Sequence, residues 1–442
     1  MERQNITTFE EAVNYIYGIP KFTGKHSMED TKEFLHALGD PDRKLNIIHI
    51  AGTNGKGSVC AYLRSILEAA GKKVAMFTSP HLVDVRERFV IDGEMISKES
   101  FLDAFHRVYE AVFDGKDTCD YHPTFFEYIF FMAMLLFAES DCDFCILETG
   151  LGGRLDATNT VAHKLLSVVT HISLDHVEYL CDTEEKIAAE KAGIFQPGAP
   201  AVFWNTSEEV SRVFWEKAAS LGISAACVSK EDYAFLSFAH KSIDFSVCTR
   251  YYNDIRLCAK TAATYQMENA ALAVRAAEIL AHESEKPFTL TAEQIKTGVE
   301  TCFWAGRMEE VRPEVYVDGA HNEDGVRAFL EAVAQDGHEG GRSLMFSVVA
   351  DKDYEPMIDK MVRAELFDRF YLAHMKNGRA ISGERLQACF ERYPGLRLQV
   401  FETCEEALRT ALSERKESER LYIAGSLYLV GEIKELLRDD QF

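Results

Sequence analysis

Apolar runs rich in β-branched residues alternate with helix-like segments in the first part of the chain. Each run ends in turn or charged residues, and the runs occupy 45–52, 73–80, 144–150 and 165–173. Between them, the segments 58–71 and 124–140 have the apolar content of helices. Buried strands that alternate with helices are typical of a parallel, doubly wound sheet. The pattern therefore predicts an α/β domain in this part.

The alternation of strand-like and helix-like segments starts again near residue 300. A helix, a short irregular stretch at 304–310 and a strand-turn-helix unit follow one another there, and further strand candidates lie beside helical segments up to the end of the chain. We therefore predict an α/β fold of two domains, with a mostly parallel sheet in residues 1–304 and a smaller α/β domain in residues 305–442. The stretch 225–260 alternates like antiparallel strands, which indicates an appended sheet.

Length and charge limit the classes of function. The 442 residues suffice for two or three domains, and the net charge of −23 would repel nucleic acid over most of the surface. We therefore expect no nucleic-acid partner, and an anionic substrate would need a locally positive pocket. The N-terminus lacks a signal pattern and no apolar run approaches the roughly 20 residues that span a bilayer. We expect a soluble, cytoplasmic protein without membrane contact.

The eleven cysteines are odd in number and irregularly spaced. This argues against a disulfide framework or a zinc ribbon. One C-x-x-C pair, Cys142 and Cys145, lies in a short apolar run. A redox or metal pair is one interpretation, but the absence of a second pair in the sequence favours buried thiols of a strand.

A glycine-rich turn with one lysine follows the first apolar run and precedes an amphipathic segment. Its residues are Gly52, Thr53, Asn54, Gly55, Lys56, Gly57 and Ser58. Backbone N–H groups of such a turn, together with the positive end of a helix, suit a phosphate, and a lysine reaches the outer phosphates. The match to G-x-x-x-x-G-K-[ST] is imperfect, because Ile50 stands at the first glycine and Gly57 directly follows Lys56. A glycine-rich turn without a ligand is the alternative at this point.

Acidic residues follow two further strand candidates. Glu148 ends one strand, where a carboxylate would meet a nucleotide-bound magnesium at the carboxyl edge of the sheet. Asp175 and His176 follow another strand, where a second metal or phosphate contact would lie. Acidic residues at strand ends and histidines in loops are common, so these residues alone leave both interpretations open.

Ten motifs in order resemble one family, folylpolyglutamate synthase, often also dihydrofolate synthase, within the Mur ligase superfamily of ATP-dependent amide-forming enzymes. They cover nearly the whole chain and read "KFTGKHSMEDTKEFLHALGDPDRKLNIIHIAGTNGKGS", "TSPHLVDVRERFVIDGEMI", "TFFEYIFFMAM", "LETGLGGRLDATN", "ISLDHVEYL", "IAAEKAGIF", "MENAALA", "FWAGRMEE", "VDGAHN" and "AGSLYLVGE". The resemblance implies an N-terminal ATPase domain, a C-terminal domain that binds the incoming amino acid, and a cleft between them.

The resemblance also implies a reaction. The carboxylate of a folate or dihydropteroate attacks the γ-phosphate of ATP to give an acyl phosphate, and the amine of L-glutamate then displaces phosphate. ATP, two Mg²⁺ ions and these small molecules are the implied ligands, and a monomer is the implied assembly. Lys56 and magnesium would offset the repulsion of the two anions.

By position in the matching motifs, the resemblance assigns roles to individual residues. Residues 52–58 would hold the triphosphate, Ser79 and Glu148 would bind the first magnesium, and His176 would bind a second with Glu148 shared. Lys191 corresponds to a lysine that is often carbamylated in this superfamily, which requires a neutral amine. Without that modification, Lys191 would pair with a phosphate or a carboxylate. The implied catalytic residues are Lys56, Glu148, His176 and Lys191.

Other motifs supply the implied substrate contacts. The nucleotide contacts across the cleft are Asn269, Arg307, Asp318 and His321, the pterin contacts are Phe125, Phe126 and Asp156, and the glutamate contacts are His321 and Ser426. The alternatives are structural: Arg307 as a linker residue, 318–322 as a capped strand-to-helix turn, and the aromatic residues as core.

Two other functions compete with this interpretation. A cell-wall Mur ligase, or another amino-acid ligase, with a UDP-linked substrate would need a separate N-terminal domain, whereas only about 45 residues precede the apolar run that leads into the glycine-rich turn. That class also reads G-K-T more often than the G-K-G-S found here. A regulatory switch driven by ATP turnover fits two domains and a cleft, but it would leave Ser79, His176 and Lys191 without a role.

Overall fold

The structure is a computed structural model that describes residues 3–19, 27–114, 122–175, 182–239, 241–376 and 378–438. The chain folds into two compact units. Unit 1 comprises Met1–Ala234, Ser246–Leu257 and Asn269–Cys302, and unit 2 comprises Phe235–Phe245, Cys258–Glu268 and Phe303–Phe442. The long segment of unit 2 thus begins beside the predicted boundary at residues 304 and 305, and two short earlier segments join it.

Unit 1 contains an eight-stranded sheet. Its strands are β1 Ile47–Ala51, β2 Val74–Phe77, β3 Phe89–Ile91, β4 Glu94–Met95, β5 Phe144–Glu148, β6 Lys164–Val169, β7 Ala201–Trp204 and β8 Ala225–Val228. The order is β4-β3-β2-β5-β1-β6-β7-β8. The β2–β3 and β3–β4 pairs are antiparallel, and the other pairs are parallel. The central strands are buried along their whole length, as their mostly apolar sequences predict. The predicted parallel sheet is confirmed.

Helices connect these strands and cover the sheet of unit 1. They are α1 Phe9–Gly18, α2 Met28–Ala37, α3 Lys56–Ala69, α4 Lys98–Phe113, α5 Phe125–Ala138, α6 Glu184–Ala192, α7 Glu208–Leu221, α8 Gln266–His282, whose first turn belongs to unit 2, and α9 Ala292–Thr301. Short 3₁₀ turns occupy Pro41–Lys44, Val85–Arg88, Ala157–Thr160 and Lys230–Asp232. Helix α5 begins with a capping box between Thr124 and Glu127 and is almost entirely buried in the core.

A second, three-stranded sheet follows along the chain. Its strands are β9 Tyr233–Ala239, β10 Ser242–Val247 and β11 Ile255–Ala259, in the order β11-β10-β9. The predicted appended sheet is thus correct from β9 onward. It is wrong for β8, which pairs in parallel with β7 at the edge of the large sheet. With four residues, β8 is too short for its own pattern to distinguish parallel from antiparallel pairing, so the sequence did not separate it from the strands that follow.

Unit 2 contains a six-stranded sheet. Its strands are β12 Glu309–Arg312, β13 Val315–Asp318, β14 Arg342–Phe346, β15 Arg369–Ala373, β16 Leu398–Phe401 and β17 Arg420–Ala424. The order is β12-β13-β17-β14-β15-β16, and β12 alone is antiparallel to its neighbour. The helices are α10 Glu323–Gln335, α11 Tyr354–Arg363, α12 Gly383–Phe390, α13 Cys404–Glu414 and α14 Leu427–Arg438. The stretch predicted to be irregular therefore ends two residues earlier than expected, because β12 starts at Glu309.

The helices bear on the expectation that no segment spans a membrane. Among the helices in the described ranges, none is both long enough and apolar enough to cross a membrane.

Cys142 and Cys145 are free thiols, and Cys145 is buried in β5. Burial raises the pKa of the Cys145 thiol, which favours the inert, protonated form of a core residue.

Candidate active site

The glycine loop, residues 52–58, connects β1 to α3 at the carboxyl edge of the unit 1 sheet. Gly52 and Gly55 have φ values of 154° and 88°. A β-carbon on Gly52 would lie 1.7 Å from Thr170 Oγ1, and one on Gly55 would lie 2.3 Å from Asn269 Oδ1. The loop thus runs between two polar side chains in a space that only glycine fits. Asn269, predicted as a nucleotide contact, lies against the loop within unit 1.

The segment that follows β6 supports the glycine loop. The backbone N–H groups of Thr53 and Asn54 donate to the carbonyl of His171 over 2.9 and 3.3 Å. Thr170 Oγ1 donates to the carbonyl of Asn54 over 2.6 Å, and Thr53 Oγ1 donates to the carbonyl of Ser173 over 3.1 Å. The sequence did not lead us to predict that these residues support the glycine loop. The available sign was the hydroxyl of Thr170, which directly follows β6 at the same sheet edge.

Lys56 is the first residue of α3. Its Nζ donates to the carbonyls of Gly52 and Thr53, each over 3.2 Å, so the ammonium lies over the glycine loop. The N-cap residue Gly55 makes no side-chain capping bond to the first turn of the helix. An ammonium beside uncapped N–H groups at the positive end of a helix is an arrangement that attracts an anion. The predicted phosphate loop therefore has the required local geometry.

Glu148 and Ser79 lie together at the same edge. Glu148 is the last residue of β5, which pairs with both β1 and β2. Ser79 follows β2, and its backbone N–H donates to Glu148 Oε2 over 2.9 Å. Glu148 is only 3% exposed, so its carboxylate lies inside the protein, next to β1, the strand that leads into the glycine loop. The two predicted magnesium ligands are thus neighbours. The third, His176, lies outside the described residues.

Lys191 lies near the end of α6 and is 3% exposed. Its Nζ contacts the carbonyl of Gly152 at 3.5 Å. Burial is the main cause that lowers the pKa of Lys191 to about 7, and the positive charge of Lys56 is the second cause, while the negative charge of Asp175 is the largest influence in the opposite direction. The geometry therefore favours an amine that is partly neutral near pH 7.

Asp156 organises the loop after β5, residues 149–156, here called the post-β5 loop. Its Oδ2 accepts the N–H groups of Gly150 and Leu151 over 3.0 and 2.8 Å. Its Oδ1 accepts the N–H and the hydroxyl of Thr158 over 3.0 and 2.5 Å. The carboxylate predicted to contact a pterin thus makes four hydrogen bonds within the protein.

The two predicted aromatic contacts lie at the start of α5. The ring of Phe125 stacks on Tyr17 with centroids 6.0 Å apart, and the Arg88 guanidinium lies 5.5 Å from the Phe125 centroid. Phe126 packs on the post-β5 loop, because a β-carbon on Gly150 would lie 2.6 Å from Phe126 Cζ. Tyr17 is 45% exposed. The first turn of α5 therefore lies beside both exposed aromatic surface and the post-β5 loop.

In unit 2, Asp318 ends β13 and is buried. It accepts hydrogen bonds from Tyr265 Oη at 2.6 Å, from the N–H of Met308 at 2.9 Å and from the N–H of Ala320 at 2.8 Å. Burial raises the pKa of the Asp318 carboxyl, and the charge of Arg307 counteracts that rise. Asp318 thus fixes the chain on both sides of the turn. Tyr265 was missed in the sequence, where nothing marks it.

Arg307, His321 and Ser426 surround this turn. A β-carbon on Gly319 would lie 2.1 Å from Arg307 Nη1, so the guanidinium lies directly on the turn. His321 Nδ1 lies 2.8 Å from the carbonyl of Gly319. Ser426 follows β17, which pairs with β13, and its Oγ accepts the N–H of Tyr428 over 3.1 Å. The four residues predicted for unit 2 therefore share one sheet edge.

Asn322 shows that part of the alternative interpretation also holds. Its side chain accepts the N–H of Gly325 over 2.8 Å and caps α10. The strand-to-helix turn is thus capped as a structural turn would be, while Arg307 and His321 lie on its surface. Capping and ligand contact are compatible, because different residues of the turn perform them.

Two protein families match the chain. The Mur ligase middle domain matches residues 50–277. The Mur ligase, glutamate ligase domain matches residues 306–427. The first match contains the glycine loop, Glu148, Lys191 and Asn269, and the second contains Arg307, Asp318, His321 and Ser426.

Curated proteins and solved structures are similar over nearly the full length. The dihydrofolate synthase/folylpolyglutamate synthase of Bacillus subtilis (strain 168) is 34% identical and covers 98% of this chain and 100% of its own. The folylpolyglutamate synthase of Lacticaseibacillus casei is 30% identical and covers 97% of this chain and 98% of its own. The structure of E. coli FolC in complex with DHPP and ADP is 26% identical, with a TM-score of 0.84 and full coverage of both chains. The Mycobacterium tuberculosis folylpolyglutamate synthase complexed with ADP is 26% identical, with a TM-score of 0.86 and coverage of 97% and 98%.

Proposed function

The chain belongs to the folylpolyglutamate synthase and dihydrofolate synthase family of Mur ligases, and from that premise we propose how its residues carry out the reaction. It is an ATP-dependent ligase that activates the carboxylate of a folate or dihydropteroate and joins it to L-glutamate. The observation that carries the assignment of residues is the meeting of the glycine loop, Lys56 and Glu148 at one edge of the unit 1 sheet.

The glycine loop and Lys56 bind the triphosphate of ATP. Uncapped N–H groups of α3 and the Lys56 ammonium supply the positive potential that the overall charge of −23 does not. When an acceptor carboxylate attacks the γ-phosphate, two anions approach one another. Lys56, already held at the loop by two carbonyls, stabilises the charge that develops without having to move into place. Asn269 fixes the loop from the side of Gly55.

Magnesium fits the donor set at this edge. No group of three His, Cys, Asp or Glu side chains among the described residues is arranged to hold a metal ion by itself. Mg²⁺ is bound in nucleotide sites by one or two carboxylates, with phosphate oxygens and waters completing its shell. Glu148 with Ser79 satisfies that requirement, and we assign His176 with Glu148 to a second ion. When bound, the ions neutralise phosphate charge.

Lys191 is the residue for carbamylation. Carbon dioxide reacts with a neutral amine, and Lys191 is buried with its Nζ against the carbonyl of Gly152 rather than a carboxylate. Carbamylation would convert the buried ammonium into a carboxylate near the proposed second magnesium. The intact mass of protein prepared in bicarbonate, compared with that of a Lys191→Met variant, tests this assignment.

Unit 2 supplies the contacts for glutamate and for the far end of the nucleotide. Arg307, Asp318 and His321 are assigned to the nucleotide, and His321 with Ser426 to glutamate. Their common position at the carboxyl edge of the unit 2 sheet supports the assignment, because ligands of open α/β sheets bind at that edge. We accordingly divide the work between residues 1–304, for ATP and acceptor, and residues 305–442, for glutamate.

The acceptor lies on the side of α5 and the post-β5 loop. Phe125 and Phe126 begin α5, and Phe126 packs directly on Gly150 of the loop that Asp156 organises. Flat rings stack on such aromatic surface. From family membership we also expect a monomer, which light scattering of the purified protein measures.

The experiment is a comparison of phosphate release. ATP and magnesium are supplied with dihydropteroate or with tetrahydrofolate, each with and without L-glutamate. We expect release only when glutamate and at least one acceptor are both present, since the acyl phosphate must be captured by the amine. The acceptor that supports turnover identifies the synthase activity. Phosphate release that does not depend on glutamate or on an acceptor would refute the proposal. Absence of phosphate release with both acceptors would refute it as well.

A further inference from the structure

A buried histidine and a buried threonine lie behind the post-β5 loop. His49 is in the middle of β1 and Thr158 is in the 3₁₀ turn that follows the loop, and both are 0% exposed. His49 Nε2 lies 2.7 Å from Thr158 Oγ1, which in turn lies 2.5 Å from Asp156 Oδ1. Polar side chains in a central strand are costly to bury unless they are hydrogen-bonded, so this chain of contacts needs an explanation.

The direction of the hydrogen bonds in this chain is determined. Thr158 has one hydroxyl hydrogen, and it is directed to the Asp156 carboxylate. Thr158 Oγ1 therefore accepts from His49, which places the proton of His49 on Nε2. His49 Nδ1 is buried without a hydrogen-bond partner among the described residues, as expected of the unprotonated nitrogen. Burial, and secondly the charge of Lys164, lowers the pKa of His49, which agrees with a neutral ring.

The chain ends on the groups that shape the post-β5 loop. Asp156 Oδ1 also accepts the N–H of Thr158, and its Oδ2 accepts the N–H groups of Gly150 and Leu151. These two residues directly precede Gly152, whose carbonyl contacts Lys191 Nζ. The carboxylate orientation that Thr158 fixes therefore sets where the backbone of Gly150 and Leu151 lies.

We propose that His49 and Thr158 are positioning residues, which act through Asp156 to hold the post-β5 loop in the geometry that binds the acceptor. The inference rests on the proposed function for its kinetic consequence. Its structural consequence, a loop held by a directed chain of hydrogen bonds, does not depend on that function. A further charged group that acts on His49 is Lys164, whose Nζ donates to Asn159 Oδ1 over 2.6 Å and to the carbonyl of Ile194 over 2.7 Å.

The test uses a matched pair at one position. Thr158→Val keeps the shape of the side chain and removes the hydroxyl, whereas Thr158→Ser keeps the hydroxyl. The first readout is hydrogen exchange of the amides of Gly150 and Leu151. We expect at least about 10-fold faster exchange in the valine variant, because the donor that orients Asp156 is lost, and less than about 3-fold in the serine variant. Ser167→Ala, which removes a buried hydroxyl bonded to the carbonyl of Ile194, is the control.

The second readout separates positioning from general damage. The KM for the acceptor is expected to rise about 10-fold in Thr158→Val, while the Kd of a non-hydrolysable ATP analogue stays within about 2-fold. Equal exchange in the valine and serine variants would overturn the inference, as would an equal loss of acceptor and nucleotide binding. If wild type lacks glutamate-dependent turnover, the proposed function fails, and the exchange experiment still decides this inference.

A second pair guards against a valine variant that does not fold. His49→Gln retains an N–H donor for Thr158 Oγ1, and His49→Leu does not. We expect faster exchange of the Gly150 and Leu151 amides in the leucine variant than in the glutamine variant. The same rate in both would show that His49 merely fills space, which overturns its part of the inference.

Discussion

The carboxyl edges of the two parallel sheets carry the candidate side chains of both units, but they differ in how their charges are matched. In unit 1, the described hydrogen bonds of Lys56 and Lys191 go to backbone carbonyls of Gly52, Thr53 and Gly152. In unit 2, the buried charge is the carboxylate of Asp318, which accepts three hydrogen bonds and lies beside Arg307. Carbonyl dipoles solvate an ammonium without neutralising it, whereas the Asp318 carboxylate has three donors and an opposite charge beside it, which together oppose the rise in its pKa that burial causes.

This difference indicates a division of tasks. The unit 1 edge has positive groups that an anion would complete, as expected where a triphosphate is bound and attacked. The unit 2 edge is a finished scaffold, and its hydrogen bonds hold Arg307 and His321 in fixed places on the surface of a turn. The reaction chemistry should therefore be most sensitive to the unit 1 cations, and changes in unit 2 should act through the positions of its residues.

Removal of the Lys56 ammonium is expected to give the largest effect. In Lys56→Ala, glutamate-dependent phosphate release should fall by about 1000-fold or more, because a preorganised charge at the transferring phosphate is lost. Lys73→Ala removes an exposed lysine paired with Asp141 at 3.9 Å and should retain activity within about 2-fold. Steady-state phosphate release measures both. A Lys56→Ala rate within 10-fold of wild type would place the anion elsewhere and remove the contrast between the two edges.

Loss of the Asp318 charge is expected to have a smaller effect on turnover. In Asp318→Asn, one of the three donors would face an amide N–H₂ group instead of a carboxylate oxygen, so the turn that carries Arg307 would shift. We expect kcat/KM to fall about 100-fold and the stability of the protein to fall by about 1–3 kcal/mol. Tyr265→Phe removes only one donor and should cost about 10-fold or less. If both variants retain full activity, the unit 2 edge is not part of the reaction site.

Much of the fold and the family was predictable from particular residues. Mostly apolar strands such as Ile47–Ala51, which alternate with helical segments, predicted the parallel sheet, which is confirmed. The ten motifs predicted the family and the ATP-dependent ligase reaction, and the similarity over 98% of the chain confirms both. The residue roles at the site remain predictions, although the structure brings Ser79 to Glu148 and groups Arg307 with Asp318. His176 lies outside the described residues.

Other features could not be read from the sequence, for physical reasons. The parallel pairing of β8 was missed because a strand of four residues is too short for its sequence pattern to show which kind of neighbour it pairs with. The support of the glycine loop by Thr170 and Ser173 depends on contacts across about 120 positions of sequence, which a local pattern does not encode. The four bonds of Asp156 likewise depend on how the post-β5 loop folds back on itself, so the sequence indicated a polar residue and not its partners.

An alanine at Gly55 tests the unit 1 edge without changing any charge. Gly55 and Gly71 have similar φ values, 88° and 76°, but only a β-carbon at Gly55 has a neighbour within 4 Å, the side chain of Asn269. Both alanine variants should lose about 1 kcal/mol of stability from backbone strain. Only Gly55→Ala should also raise the Kd of a non-hydrolysable ATP analogue, by about 10-fold. Calorimetric titration measures this, and equal affinities in the two variants would show that the glycine loop does not hold the nucleotide.

The pH dependence of stability should reveal the buried cations of unit 1 with the smallest effect of the set. Burial lowers the pKa of Lys164 to about 7, against about 10.4 in an unfolded chain. Between these values the unfolded chain binds more protons at this residue than the folded chain, so its contribution makes wild type more stable as pH rises. The difference in Tm between Lys164→Met and wild type should therefore favour the variant more at pH 6.5 than at pH 9, by about 5 °C.

The exposed Lys73 provides the control for this titration. Its side chain is 57% exposed, so Lys73→Met should show a Tm difference from wild type that is the same at both pH values. Scanning calorimetry at pH 6.5 and pH 9 measures all three proteins. A Lys164→Met difference that does not change with pH would mean that the amine keeps its proton in the folded protein, since its two acceptors, Asn159 and the carbonyl of Ile194, would then compensate burial. Lys164, which begins β6 at the amino edge of the unit 1 sheet, would in that case be as well compensated as Asp318, and the contrast between the units would be confined to the carboxyl edge.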